Sequence, residues 1–420
     1  MNKIKKIIFL IVIFTLILGN YNLAFGAETT NNENIKAVIE KYFDNYYKSF
    51  QKMDVINSNE FLEDNDNTYF NKAVQEFMVE GDKAIGLYYK DYKVSLDYKD
   101  ISISGNNATV KVLMHLDYVY STTPNSISSL SSDYTFNLVK SNKKWKLSSI
   151  NCNSLAADCF KTLVNKKVKQ GLSQRDAITK AKEEKMKSIE QTKKYIDGSA
   201  ATIKQQVVGS SLVTPATSFT YNRMLGRNYA QRFAEESDLN ERFFYTVPDE
   251  SGGDCTNFVS QCVWAAYGGY VEGNDTLSKS NISNKVRMVN GTYTTGWFGG
   301  RVGGGGSGKW ESVTNFWSYA TSSKTYGPKG TGVNNNNPYY NLSPSAIKYG
   351  DVLQFGELTD YHHSTFVTYT PTSPQYYSDI LISYHSYDNY NANLWDVIIS
   401  FGGNDCYMRQ IYFGTAQFSS

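Results

Sequence analysis

Apolar and polar positions divide this chain into stretches of different period. Lys3, Lys5 and Lys6 precede an unbroken apolar run from Ile7 to Leu18, and small residues follow at Ala24, Gly26 and Ala27. The run is short of the ~20 residues that span a bilayer. With its basic start and small-residue exit, it predicts a secretory signal peptide over residues 1–26. From Ile35 to Phe50, apolar residues recur at helical spacing (Ile35, Val38, Ile39, Tyr42, Phe43, Tyr46), and a second helical stretch follows from Phe70 to Tyr89. Strict alternation then takes over in Tyr92–Tyr98, Ala108–Tyr120, Ser132–Ser141 and Lys144–Asn151. Helices followed by an antiparallel meander predict a cone-like α+β domain over residues 34–159, whose role the pattern leaves open.

From Phe160 to Gln206, Lys and Glu dominate. Ser173 can cap a helix there, and Ala177, Ile178, Ala181 and Met186 form a thin apolar stripe. This predicts a charged, largely solvated helical connector over residues 160–212. Ser, Thr and Pro between Gly209 and Ser218 mark a flexible boundary. A third unit, residues 218–420, alternates short strands with loops rich in Gly, Asn and Tyr.

Composition narrows the classes. A chain of 420 residues is long for one domain. A net charge of +2 gives no case for nucleic acid, and once the leader is cut nothing predicts a membrane partner. Five cysteines are an odd number and too sparse for a disulfide scaffold of this size. Cys152 and Cys159 are near enough in sequence to pair, and Cys262 and Cys406 read as buried thiols.

Cys255 differs. In Gly252-Gly253-Asp254-Cys255-Thr256-Asn257-Phe258-Val259-Ser260-Gln261-Cys262, the glycines permit a tight turn and Asp254 is a good N-cap. Phe258, Val259, Cys262, Val263 and Ala266 continue a helical stripe that begins at Cys255. The start of a helix favours thiolate.

A nucleophilic thiol needs a base, and three of the four histidines fall downstream. Gly350-Asp351 enters one strand, His362-His363 opens the next, and Ile380–Tyr384 forms a third that ends at His385, with Asp388 just beyond. Alternation along a strand sends His362 and His363 to opposite faces, so only one can face Cys255.

Together these features resemble the bacterial "putative amidase domain" family, within the NlpC-like and CHAP-type branch of papain-like enzymes. Tyr221-Asn222-Arg223, Tyr229-Ala230, the Gly-Gly-Asp-Cys core, His363-Ser364 and His385-Ser386-Tyr387-Asp388 carry the likeness. The resemblance implies a papain-like α+β domain in which a helix bearing Cys255 packs on an antiparallel sheet. It implies Cys255 as nucleophile, His363 as general base with His362 as the alternate, and His385 as the residue orienting the base, with Asp388 as the alternate. No cofactor is expected. The implied activity is that of a secreted cysteine amidase or endopeptidase acting on peptidoglycan or another peptide. Two other readings exist. One is a surface binding or adhesion protein with an inactive amidase-like domain. The other is a zinc amidase using His362, His363, His385 and Asp388, which leaves the Cys255 helix without a role. The glycine-rich run from Gly303 to Lys309 lacks the Ser or Thr of a phosphate loop, since Trp310 stands there.

Overall fold

The alternation read along the N-terminal third becomes a four-stranded meander covered by helices. The computed structural model describes residues 31–197, 218–235, 243–248, 253–300 and 305–418. The expected signal peptide, and all of the expected boundary before Ser218, lie outside the described residues. Strands β1 (Tyr89–Ser104), β2 (Asn107–Tyr120), β3 (Ser128–Ser141) and β4 (Lys144–Cys152) pair consecutively and antiparallel. Along β2 every second residue from Ala108 to Tyr120 is buried, the period that places one face on a core. Helices α1 (residues 31–52) and α2 (Asp66–Ile85) cover that face. The Phe43 ring meets Tyr134 and Phe136 edge-on, with centroids 4.9 and 5.6 Å away. Helix α2 begins at Asp66, ahead of the apolar stripe, because Asn65 and Thr68 form a reciprocal capping box.

The charged segment forms α3 (Leu155–Lys169) and α4 (Gln174–Asp197). Its thin stripe is not a weak surface feature: Ala177, Ile178 and Ala181 are fully buried and join the N-terminal core. The expected solvated connector is therefore corrected, since one face of each helix is packed. The error has a physical cause. Lysine stems cover apolar surface while their heads reach water, so a Lys-rich sequence reads as more exposed than it is.

The C-terminal half supplies α5 (Arg223–Phe233), α6 (Cys255–Ala266), α7 (Asp275–Ser283), α8 (Gly308–Glu311) and α9 (Val313–Thr321). These are followed by β5 (Gly330–Val333), β6 (Val352–Glu357), β7 (Asp360–Tyr369), β8 (Leu381–Tyr384), β9 (Asn389–Asn393), α10 (Leu394–Ser400) and β10 (Tyr407–Phe413). Strand neighbours alternate between two cores. Val352, Phe366 and Ile411 face the α5–α6 side, whereas Leu353, Val367 and Met408 face the α10 side.

The two halves share one sheet, in the order β1-β2-β3-β9-β8-β7-β6-β10-β5, with β4 added on β3. Strand β3 uses its second edge twice, pairing Tyr134–Ser141 with β4 and Ser129–Leu130 with β9. Side chains reinforce the seam. Ser128 Oγ donates to Asn391 O at 2.7 Å, and Trp395 Nε1 donates to Gly81 O at 3.1 Å. A Cβ on Gly81 would lie 2.9 Å from Ile399 Cγ2, so glycine sets how closely α2 and α10 approach. Leu381, Trp395 and Ile399 belong to the N-terminal core. The fold is α+β, as expected. Cys152 and Cys159 are free thiols. Among the described residues, no helix is long and apolar enough to cross a membrane.

Candidate active site

Every residue of α6 is buried, so each of its polar groups needs a partner. Asn257 Nδ2 donates to Tyr245 O at 2.9 Å and to Asp254 Oδ1 at 2.7 Å, and its Oδ1 accepts from Trp310 Nε1 at 2.7 Å. Ser260 donates to Trp310 O at 2.8 Å, and Gln261 Oε1 accepts from the Tyr229 hydroxyl at 2.7 Å. The Thr256 and Ser364 hydroxyls are 2.9 Å apart, and Gln354 Nε2 donates to Ser364 Oγ at 3.1 Å. Arg409 in turn donates from Nε to Gln354 Oε1 at 2.9 Å. This chain of contacts crosses β7, β6 and β10 and fixes the helix against the sheet. The other motif residues are staples too. The Tyr221 hydroxyl donates to Gly350 O at 2.7 Å, Asn222 caps α5, and Arg223 pairs with Asp351.

Asp254 stands at the N-cap of α6, but its side chain does not cap, which corrects the expectation. Its carboxylate is held elsewhere. Oδ1 accepts from the Val247 N–H at 2.7 Å and Oδ2 meets His385 Nδ1 at 2.6 Å. Gly253, with φ of 80°, supplies the left-handed turn that delivers the chain to this position. The Asp254 N–H donates to Ser386 Oγ at 2.8 Å.

His385 is therefore not placed as expected. Its Nδ1 faces Asp254 and its Nε2 lies 2.8 Å from Phe233 O, so both ring nitrogens meet acceptors. The ring stacks on Phe258 at 4.1 Å. Burial opposes charge on this imidazole, but Asp254 and Asp388 outweigh it and its pKa is raised. The imidazolium, a donor at both nitrogens, is the form that satisfies this geometry. His385 clamps the start of α6 rather than orienting His363, and Asp388 adds its charge to the same clamp.

Removing one partner of a buried ion pair costs about 3 kcal/mol or more. His385→Ala is expected to lower unfolding stability by that order in urea titrations, with Asp388→Ala costing less. The pair's contribution is fully present below the unfolded histidine pKa of about 6.5 and is lost as pH rises through the higher folded value. The gap between wild type and His385→Ala should thus narrow as pH is raised; a gap that widened would contradict the clamp.

His363 lies on β7 and is buried, 3% exposed, edge-on to Tyr384 at 4.9 Å. The backbone N–H of Ser364, the residue after His363, is near enough to the Cys255 sulfur to pull its pKa down, so thiol and imidazole stand on adjoining positions. Both border a cavity of about 830 Å³. Nε2 of His363 is enclosed and has no hydrogen-bond partner among the described residues. Burial, and then the neighbouring His362, push His363 down to about 3. Burial likewise pushes the Cys255 thiol up, against the Ser364 N–H and Thr256 hydroxyl that pull it down. The expectation of a thiolate favoured by the helix start is corrected: desolvation and the adjacent Asp254 outweigh a helix-end effect worth at most about 2 kcal/mol. The resting pair is neutral thiol and neutral imidazole.

His362 also borders the cavity, which strict alternation excluded. Phe355 pairs with His363 but Gly356 with Tyr361, so His362 is the extra residue of a bulge. It is exposed, and its Nδ1 lies 3.2 Å from Asp360 O. The residues weighed as zinc ligands are not gathered, and among the described residues no three His, Cys, Asp or Glu side chains converge.

A neutral buried His363 also makes stability depend on acid. Below about pH 6.5 the unfolded chain takes up a proton that the folded chain refuses until about pH 3, so stability falls as pH drops through that window. His363→Gln should lose less stability than wild type between pH 7 and pH 4, as measured by urea unfolding.

Sequence reasoning missed three parts of this site. Ser386, at φ 80°, and Tyr387 both line the cavity, and their signal was their place directly after His385. The far wall comes from α3 and α4, through Asp158, Cys159 and Glu184, and Tyr387 donates its hydroxyl to Asp158 Oδ2 at 3.0 Å. Only long-range contact reveals that wall. Asp254 as the partner of His385 was the third.

No curated protein matches this chain. A crystal structure of the intermembrane space region of the chloroplast protein ARC6 is similar at 17% identity, over 27% of this chain and 94% of that one, with a TM-score of 0.17. The stretch from residue 220 to residue 409 matches the family described as "Putative amidase domain", and it contains Cys255, His363, His385 and Asp388. Over residues 220–409, somewhat less than half of its length, this chain is similar to the putative amidase domain family.

Proposed function

We propose that this protein is a secreted cysteine amidase that hydrolyses amide bonds in cell-wall peptidoglycan. The observation that carries the reading is the placement of Cys255. It heads a fully buried helix, its sulfur lies near the Ser364 N–H beside His363, and both residues open onto one large cavity. Similarity of residues 220–409 to an amidase family supports amide hydrolysis. The leader expected at residues 1–26 supports export, and export supports a wall substrate.

The chemistry starts from the neutral pair. His363, neutral at rest, takes the thiol proton as sulfur attacks the amide carbonyl, once the bound substrate and the developing charge raise its basicity. The carbonyl oxygen gains charge and needs donors. First-turn N–H groups of α6, which the Asp254 side chain leaves uncapped, are suited to this. The imidazolium then protonates the leaving amine, and water activated by His363 releases the acyl group from sulfur. Incubating purified cell walls with the protein and weighing the released fragments tests the reading. Fragments ending in a new carboxyl group and a new amine support it, and unchanged walls count against a wall substrate.

The binding-module alternative predicts an inert thiol. Iodoacetamide near neutral pH should modify Cys255 ahead of Cys262 and Cys406, which are fully buried.

A further inference from the structure

We propose that a second, smaller cavity behind the cleft is a subsite for an ammonium group. It measures about 140 Å³ and lies where the N-terminal meander meets β8, β9 and α10. Tyr47, Tyr89, Tyr118, Tyr120, Tyr134 and Tyr384 border it. Aromatic faces attract cations, more so where water is excluded.

One acceptor in its wall lacks a partner, and a buried carboxyl pair lies beside it. Asn389 is 9% exposed; its Nδ2 donates to the Tyr384 hydroxyl at 3.3 Å, and its Oδ1 is enclosed without a hydrogen-bond partner among the described residues. Asp396 Oδ2 accepts from the Tyr120 hydroxyl at 2.5 Å. Behind Asp396 stands Asp82, 1% exposed, its carboxyl close enough to that of Asp396 to share a proton. Two acids pressed together in a buried site strain to hold a proton, and burial raises both. An unpaired buried charge is expensive, and a cation beside it removes that cost. Water could satisfy the Asn389 oxygen and one proton can be shared by the carboxyl pair, whereas a cation answers the charge that such a pair keeps together with the tyrosine walls.

The volume is close to the roughly 150 Å³ that admits benzene, so an ammonium carrying about four carbons fits. Asn153, Leu155, Tyr387 and Ser400 border both this cavity and the cleft, so one molecule can reach into both. That the ammonium belongs to an arm of the substrate rests on the amidase reading; that the pocket takes an ammonium does not.

Titration calorimetry on the full chain carrying Cys255→Ala, with n-butylammonium and with 1-butanol as the neutral control, tests the pocket without turnover. Saturable binding of the ammonium, with butanol weaker by about tenfold or more, is expected. Asp396→Asn, added to the same chain, should weaken the ammonium by a similar factor. If that variant fails to fold, Asn389→Leu carries the same expectation. Equal binding of the alcohol, no saturable ammonium binding, or no effect of the folded variant overturns the subsite. An active amidase that ignores butylammonium would sink the pocket alone, whereas ammonium binding by a chain without amidase activity would sink only the catalytic reading.

Discussion

Cys255→Ala is expected to abolish amide hydrolysis and to leave the fold intact. The sulfur is the only atom of the residue that the proposed chemistry uses, and its loss removes the nucleophile outright. Mutating a covalent catalyst of this kind costs on the order of 10⁴-fold or more in kcat. The structural cost is small. Alanine is a good helix former, and what is deleted is one sulfur bordering a cavity that already exists. Turnover on cell walls and urea unfolding, run on the same preparations, separate the two effects. A variant that unfolds like wild type yet hydrolyses nothing is the expected pair of results.

The second large effect concerns the other half of the molecule. A fragment spanning residues 218–420 is expected to lose cooperative unfolding and activity together, although the sequence alone suggested a separable domain. Without residues 31–197, Leu381, Trp395 and Ile399 lose the core they are buried in, and β9 loses β3 along its edge. Exposing a single large apolar side chain costs about 1.5–3 kcal/mol, so three of them rival the whole stability of an ordinary domain. The cleft also loses its α3–α4 wall. Calorimetry and circular dichroism of the fragment decide the matter. A sharp transition with retained hydrolysis would show that the seam is an ordinary interdomain contact.

Much of this architecture was legible. Period-two burial along β2 and the start of α6 at Cys255 followed directly from residue spacing. Adjacent strands carrying His363 and ending before His385 were read correctly as well. What failed depended on partners distant in sequence. Asp254 looks like a cap because Asp is a good cap, and only the fold shows that His385, 131 residues away, claims its carboxylate. His362 looks excluded by alternation until a bulge is seen. The α3–α4 pair looks solvated because its lysines outnumber its alanines, although Ala177, Ile178 and Ala181 carry the packing. Local pattern specifies elements, whereas a site is assembled from elements whose meeting no local pattern encodes.

The central claim is that amide hydrolysis proceeds through an acyl group on Cys255. The most direct measurement is the mass of the intact protein, acid-quenched during turnover of a peptide amide, followed by mapping of the adduct. The account predicts a mass gain equal to the acyl fragment, located on the peptide containing Cys255 and absent from Cys255→Ala. Undiminished hydrolysis by Cys255→Ala, with no adduct on either protein, would contradict it.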